Sequence, residues 1–131
     1  MALHDFTLKP ALALKPGKKT TLANNTMAYC DLIGGDRVIS ITYHDNVIAV
    51  IEPDVEVRLT MCGYGTSTTR RRLNLILEEI APHAGRFSQK DWGQYFDGQP
   101  IDPCTTITIP LTYDCPPSVG GVPATNVGTL A

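Results

Sequence analysis

The sequence predicts an α+β fold: a small antiparallel sheet packed by one helix, with extended arms at both ends. Three observations lead there. Short β-branched and aromatic runs between residues 38 and 60 are separated by tight-turn signals. One helical stripe follows, with Leu73, Ile76, Leu77 and Ile80 at i, i+3, i+4 and i+7. The two ends lack both patterns: residues 1–23 carry Lys and Pro, and residues 99–131 carry Pro and Gly without any Lys or Arg.

The parse is therefore a basic N-terminal arm over 1–23, a core over 24–98 and a Pro/Gly-rich C-terminal arm over 99–131. In the core, Val38-Ile-Ser-Ile-Thr-Tyr43 alternates as a strand, and Asp45-Asn46 turns the chain into Val47-Ile-Ala-Val-Ile51. Pro53-Asp54 is the next turn signal. Beyond it, Val55, Val57 and Leu59 alternate with Glu56, Arg58 and Thr60, so one face of this strand is buried. Such short connections favour an antiparallel meander. For the helix, Thr68 or Thr69 suits the N-cap and Pro82 ends the pattern. At about 100° per residue, Arg71 points away from the stripe, Arg70 and Arg72 flank it, and Leu75 faces outward. Residues 85–98 read as a hairpin whose aromatics Phe87, Trp92, Tyr95 and Phe96 cover one end of the sheet. In the C-terminal arm, Ile107, Ile109, Leu111 and Tyr113 alternate with Thr and Pro110. That suits an edge strand able to join its own sheet or a neighbour's.

Composition narrows the function classes. At 131 residues, 43% hydrophobic and 18% charged, the chain is a single soluble globular domain with arms. A formal charge of −2 gives no global attraction for polyanions, so any basic surface is local. No apolar run approaches the roughly 20 residues that span a bilayer, and no membrane partner is expected. The start Met1-Ala-Leu-His-Asp-Phe6 has no secretion-signal pattern. Cys30, Cys62, Cys104 and Cys115 form no CxxC pair, and no His sits at ligand spacing from them, so neither a metal nor a cofactor is expected. Reduced thiols in a cytosolic product are the plain reading, although a tail folded back as a hairpin would bring Cys104 to Cys115.

The stretch with most chemical character is Gly63-Tyr-Gly-Thr-Ser-Thr-Thr-Arg-Arg-Arg-Leu-Asn74. As a site it gathers Tyr64, Thr66, Thr68, Thr69, Arg70, Arg71, Arg72 and Asn74 where free helical N–H groups and the positive dipole end favour an anion. A phosphate or nucleic-acid contact competes with a bland alternative: a helix cap followed by solvated arginines that pair with Glu78 or Glu79. Tyr64 stacks on a base in the first reading and packs on the sheet edge in the second. No nucleophile elbow, zinc-protease helix, Walker loop or dinucleotide fingerprint is present, and catalysis is not expected.

These residues resemble a group of small proteins found in bacteriophages and their hosts, whose pattern is roughly Gly-Trp-x-Thr-x-Thr-Thr-Lys-x-Arg-hydrophobic-Asn. Here it reads Gly63, Tyr64, Thr66, Thr68, Thr69, Arg70, Arg72, Leu73 and Asn74, with Tyr in place of Trp and Arg in place of Lys. Asn25-Thr26, Tyr43-His44, Phe87-Ser-Gln-Lys90 and Tyr95-Phe96 extend the similarity over residues 24–98. The resemblance implies a phage-type source and an α+β core, and it implies no activity.

Two functions follow as expectations. The first is a non-enzymatic phage structural or assembly protein in the virion, a minor subunit such as a cement or connector component. Lys15, Lys18 and Lys19 would dock on acidic neighbours, Leu75 would belong to a contact surface, and Ile107, Ile109 and Leu111 would augment another subunit's sheet. The second is an accessory protein of the host cytoplasm that binds nucleic acid or a nucleotide through the Thr-Thr-Arg-Arg-Arg helix start.

Overall fold

Tight left-handed turns set the path of the chain. The computed structural model describes residues 6–111 and the backbone of 118–119 and 122–123. In order these form α1 (Lys9–Leu12), β1 (Lys19–Ala23), β2 (Thr26–Ile33), β3 (Asp36–Tyr43), β4 (Asn46–Glu52), β5 (Glu56–Thr60) and α2 (Ser67–Ile80). Then come β6 (Phe87–Lys90), β7 (Gly93–Phe96), β8 (Gln99–Ile101), β9 (Thr106–Pro110), β10 (Ser118–Val119) and β11 (Val122–Pro123). Four hairpins turn on two residues that both have positive φ: Gly34–Gly35, His44–Asp45, Asp91–Trp92 and Asp97–Gly98. That backbone matches the twist of the strands it joins.

The main sheet runs β1-β2-β3-β4-β5-β9-β10-β11, and β6-β7-β8 form a second sheet; all pairs are antiparallel. This is the α+β architecture that the sequence indicates. Strands β5 and β9 are neighbours, with Glu56 opposite Pro110 and Thr60 opposite Thr106. Helix α2 and the second sheet are thus an insertion that leaves and re-enters the main sheet at one place. The helix lays Leu73, Ile76 and Leu77 on the inner face, where Ile39, Ile41, Ile51, Val57, Leu59 and Ile107 meet it in one buried cluster. Full burial of such a side chain contributes about 1.5–3 kcal/mol of transfer free energy. Phe87 and Phe96 face each other across β6 and β7, ring centroids 5.0 Å apart, and join this core.

Several placements differ from the sequence reading. The described part of the 1–23 segment lies on the body: Leu8 and Ala11 are fully buried, and β1 pairs with β2. Leu8 N donates to Glu79 Oε1 at 2.7 Å, and Arg37 donates to Leu12 O and Leu14 O at 3.1 and 2.6 Å, closing the end of α1. Strand β9 joins its own sheet, so Ile107 and Ile109 are buried in the core and are not surfaces for a neighbour. Leu111, half-buried, packs against the same cluster. The boundary at 98 cuts the second sheet, since β8 pairs with β7 beyond it. Trp92 does not cover the sheet: it sits at a hairpin tip, 91% exposed. The approach of Cys104 to Cys115, left open by the sequence beside the reading of reduced thiols, involves a residue outside those described.

Candidate functional site

The loop between β5 and α2, with the first turns of that helix, is built as a knot. Thr66 is the N-cap: its Oγ1 accepts from Thr69 N at 3.2 Å and lies 3.0 Å from Thr69 Oγ1. Such a cap contributes about 1 kcal/mol. Arg70 donates to Gly65 O at 3.0 Å and to Gln94 Oε1 at 2.9 Å, which fastens the loop to β7. A methyl group on Gly65 would meet the end of the Gln94 side chain at 2.9 Å, so a larger residue there would push that side chain aside. Asn74 pairs through both ends of its amide with the backbone of Phe87, donating to its O at 3.0 Å and accepting from its N at 2.8 Å.

Arg72 is 1% exposed. Its Nε donates to Thr26 Oγ1 at 2.6 Å and its Nη2 to Asn24 O at 3.1 Å, while its guanidinium carbon lies 4.1 Å from the centre of the Tyr43 ring. Burial lowers its pKa from the ordinary arginine value, and the neighbouring Tyr43 opposes that shift. A cation so placed joins α2 to the β1–β2 turn and to β3, and it is out of reach of an external anion. Arg70 is likewise committed to internal bonds, and Thr69 is buried.

What faces outward is smaller than the sequence site. Tyr64, 58% exposed, stands on the rim of a cleft of about 440 Å³, with Tyr43, His44, Asn46, Thr66 and Thr68 among its walls. The His44 ring lies against Tyr43, centroids 4.3 Å apart. On the other side of the helix start, Arg70, Arg71 and Leu75 line a shallow hollow of about 390 Å³ with Ser67, Glu78 and Arg86. Arg71 is exposed, Leu75 is half-buried, and Arg86 pairs with Glu78 at 2.8 Å on the surface. Lys15, Lys18 and Lys19 are exposed on the turn into β1 and on its first residue.

Residues 7–111 match the family described as Kyanoviridae Gp96 protein. The chain belongs to this phage family. No curated protein and no solved structure matches it. The family match runs across 7–23 and 99–111 as well as the expected core, which agrees with one body containing α1, β1, β8 and β9. Among the described residues no helix is long and apolar enough to cross a membrane.

Sequence reasoning missed Trp92 and Arg86 as surface features. The Asp91-Trp92 dipeptide carries little signal, since a two-residue loop needs positive φ at both positions and is read from Asn-Gly or Asp-Gly rather than from a bulky Trp. Arg86 carries none, because only the return of the chain after Pro82 brings it beside α2.

Proposed function

We propose that this phage protein is a non-enzymatic structural or assembly component of the virion, a minor subunit such as a cement or connector component. Its contact with neighbouring subunits is made through the β6–β7 hairpin tip. Trp92 carries this reading. It has φ 70, a conformation that a bulky residue adopts at a cost of about 1–2 kcal/mol, and its side chain is 91% exposed. A residue that strains its turn and contributes nothing to the core has no reason in the fold of the isolated chain. Large aromatics buried on association are the usual anchors of protein interfaces. Leu32 and Ile33, 59% and 61% exposed at the β2–β3 tip, add apolar surface, and Lys15, Lys18 and Lys19 add charge for acidic neighbours.

Purified particles should contain the protein as a stoichiometric band. Trp92→Gly should remove it from particles while leaving the isolated protein folded and as stable as before, or up to about 1 kcal/mol more stable. Absence of the wild-type protein from particles overturns the proposal, as does full incorporation of the variant.

The hollow lined by Arg71 and Arg86 supports a second reading, an accessory protein of the infected host's cytoplasm that binds nucleic acid or a nucleotide. Salt-sensitive binding of a single-stranded oligonucleotide, lost in the Arg71→Glu, Arg86→Glu double variant, together with absence from particles, favours it over the first. Arg72 is unsuited to this test because it is part of the core.

A further inference from the structure

The insertion that carries α2 and the second sheet has a narrow neck, and a cysteine stands on each side of it. Cys62 follows β5 and Cys104 precedes β9. The β5–β9 ladder ends with Thr60 opposite Thr106, two residues from each cysteine. One step further, Gly63 N donates to Pro103 O at 3.0 Å, so the two chain segments remain side by side beyond the last strand residue. Cys62 and Gly63 both have positive φ, and Tyr64 N donates to Met61 O at 2.8 Å while Thr105 N donates to Asp102 O at 2.8 Å, so each cysteine sits in a tight turn at the neck. The two turns lie close enough for the Cys104 charge to act on Cys62. Cys104 Sγ lies 3.4 Å from where a Cβ on Gly63 would stand, which puts its sulfur against the residue next to Cys62.

We propose that Cys62 and Cys104 form an intramolecular disulfide that staples the neck of the insertion, made by exchange with a small-molecule disulfide of the glutathione type. Cys104 is exposed and Cys62 half-buried, so Cys104 is the sulfur that the reagent reaches first. Its thiolate attacks one sulfur of the reagent, forms a mixed disulfide and releases one thiol. Cys62 then gives up its proton to solvent and attacks the Cys104 sulfur, and the second reagent thiol leaves. Two protein thiols are oxidised and one small disulfide is reduced to two thiols. In the reduced protein Cys62 Sγ donates to Val47 O at 2.8 Å, and rotation about χ1 exchanges that partner for Cys104. Burial, and then the proximity of Cys104, push the Cys62 thiol above the ordinary cysteine value.

The test is incubation of the full chain with oxidised glutathione, followed by non-reducing peptide mapping and a thermal melt. The expected result is a peptide pair joined through Cys62 and Cys104 and a rise in Tm of about 5–10 °C that dithiothreitol reverses. The Cys62→Ser variant should instead hold a lasting glutathione adduct on Cys104. A lasting adduct in the wild-type protein, or a bridge from Cys104 to Cys115, overturns the proposal. A Cys62–Cys104 bridge with unchanged Tm overturns the stapling role.

Discussion

Arg72 is a cation held inside the protein by an aromatic face, a hydroxyl and a carbonyl. Arg72→Ala leaves Thr26 Oγ1 and Asn24 O without this donor and opens a space beneath Tyr43. We expect a loss of about 3–5 kcal/mol, read as a lower midpoint in urea unfolding. Arg72→Lys keeps the charge but loses the planar fork and its stacking, and should still cost about 2 kcal/mol. A loss within about 0.5 kcal/mol for the alanine variant would mean that the guanidinium is solvated. The sequence located the Thr-Thr-Arg-Arg-Arg cluster and the helix start, but it could not divide the arginines among roles. A helical wheel puts Arg72 on the flank of the apolar stripe, and a flank residue is wet or dry depending on what stands opposite. Here that is Tyr43, supplied by a strand distant in sequence.

The elements read best where large side chains point inward. In β3, β4 and β5 most buried positions are Val, Ile or Leu, with Thr42 and Ala49 besides, and those strands were legible as runs. Strand β2 was not, because its inward residues are Thr26, Ala28 and Cys30 while the larger Met27 and Tyr29 are only half-buried. Size and burial run opposite to the usual pattern, so periodicity gave no signal. The joint between α2 and β6 was equally hidden, since nothing around Asn74 announces that its amide will stand in for a strand partner of Phe87. Asn74→Ala should cost about 2–3 kcal/mol, because both backbone groups of Phe87 lose their partner. Asn74→Asp keeps the acceptor for Phe87 N but sets a carboxylate against Phe87 O, and it should be no more stable than the alanine variant. Chemical denaturation of the two variants side by side checks this order; an aspartate variant as stable as wild type would count against the two-point pairing.

Among the described residues, the decisive fact for the whole molecule is that 6–23 pack on the core. Composition made 1–23 look like an arm because four lysines stand against a single acid and Pro10, Pro16 and Gly17 interrupt the chain, yet Leu8 and Ala11 dock it on the core while Arg37 and Glu79 hold the backbone. Leu8→Ala should therefore destabilise the protein by about 3 kcal/mol, whereas a loose arm would tolerate the change; calorimetry of the isolated protein distinguishes the two. Partner subunits are then not needed to place residues 6–23, and the assembly reading rests on the hairpin tip instead. The adjacency of β5 and β9 has its own consequence for synthesis. The ribosome makes β5 early and β9 only after the whole helix and second sheet, so the nascent meander carries an open, unpaired strand edge until Pro110 has emerged.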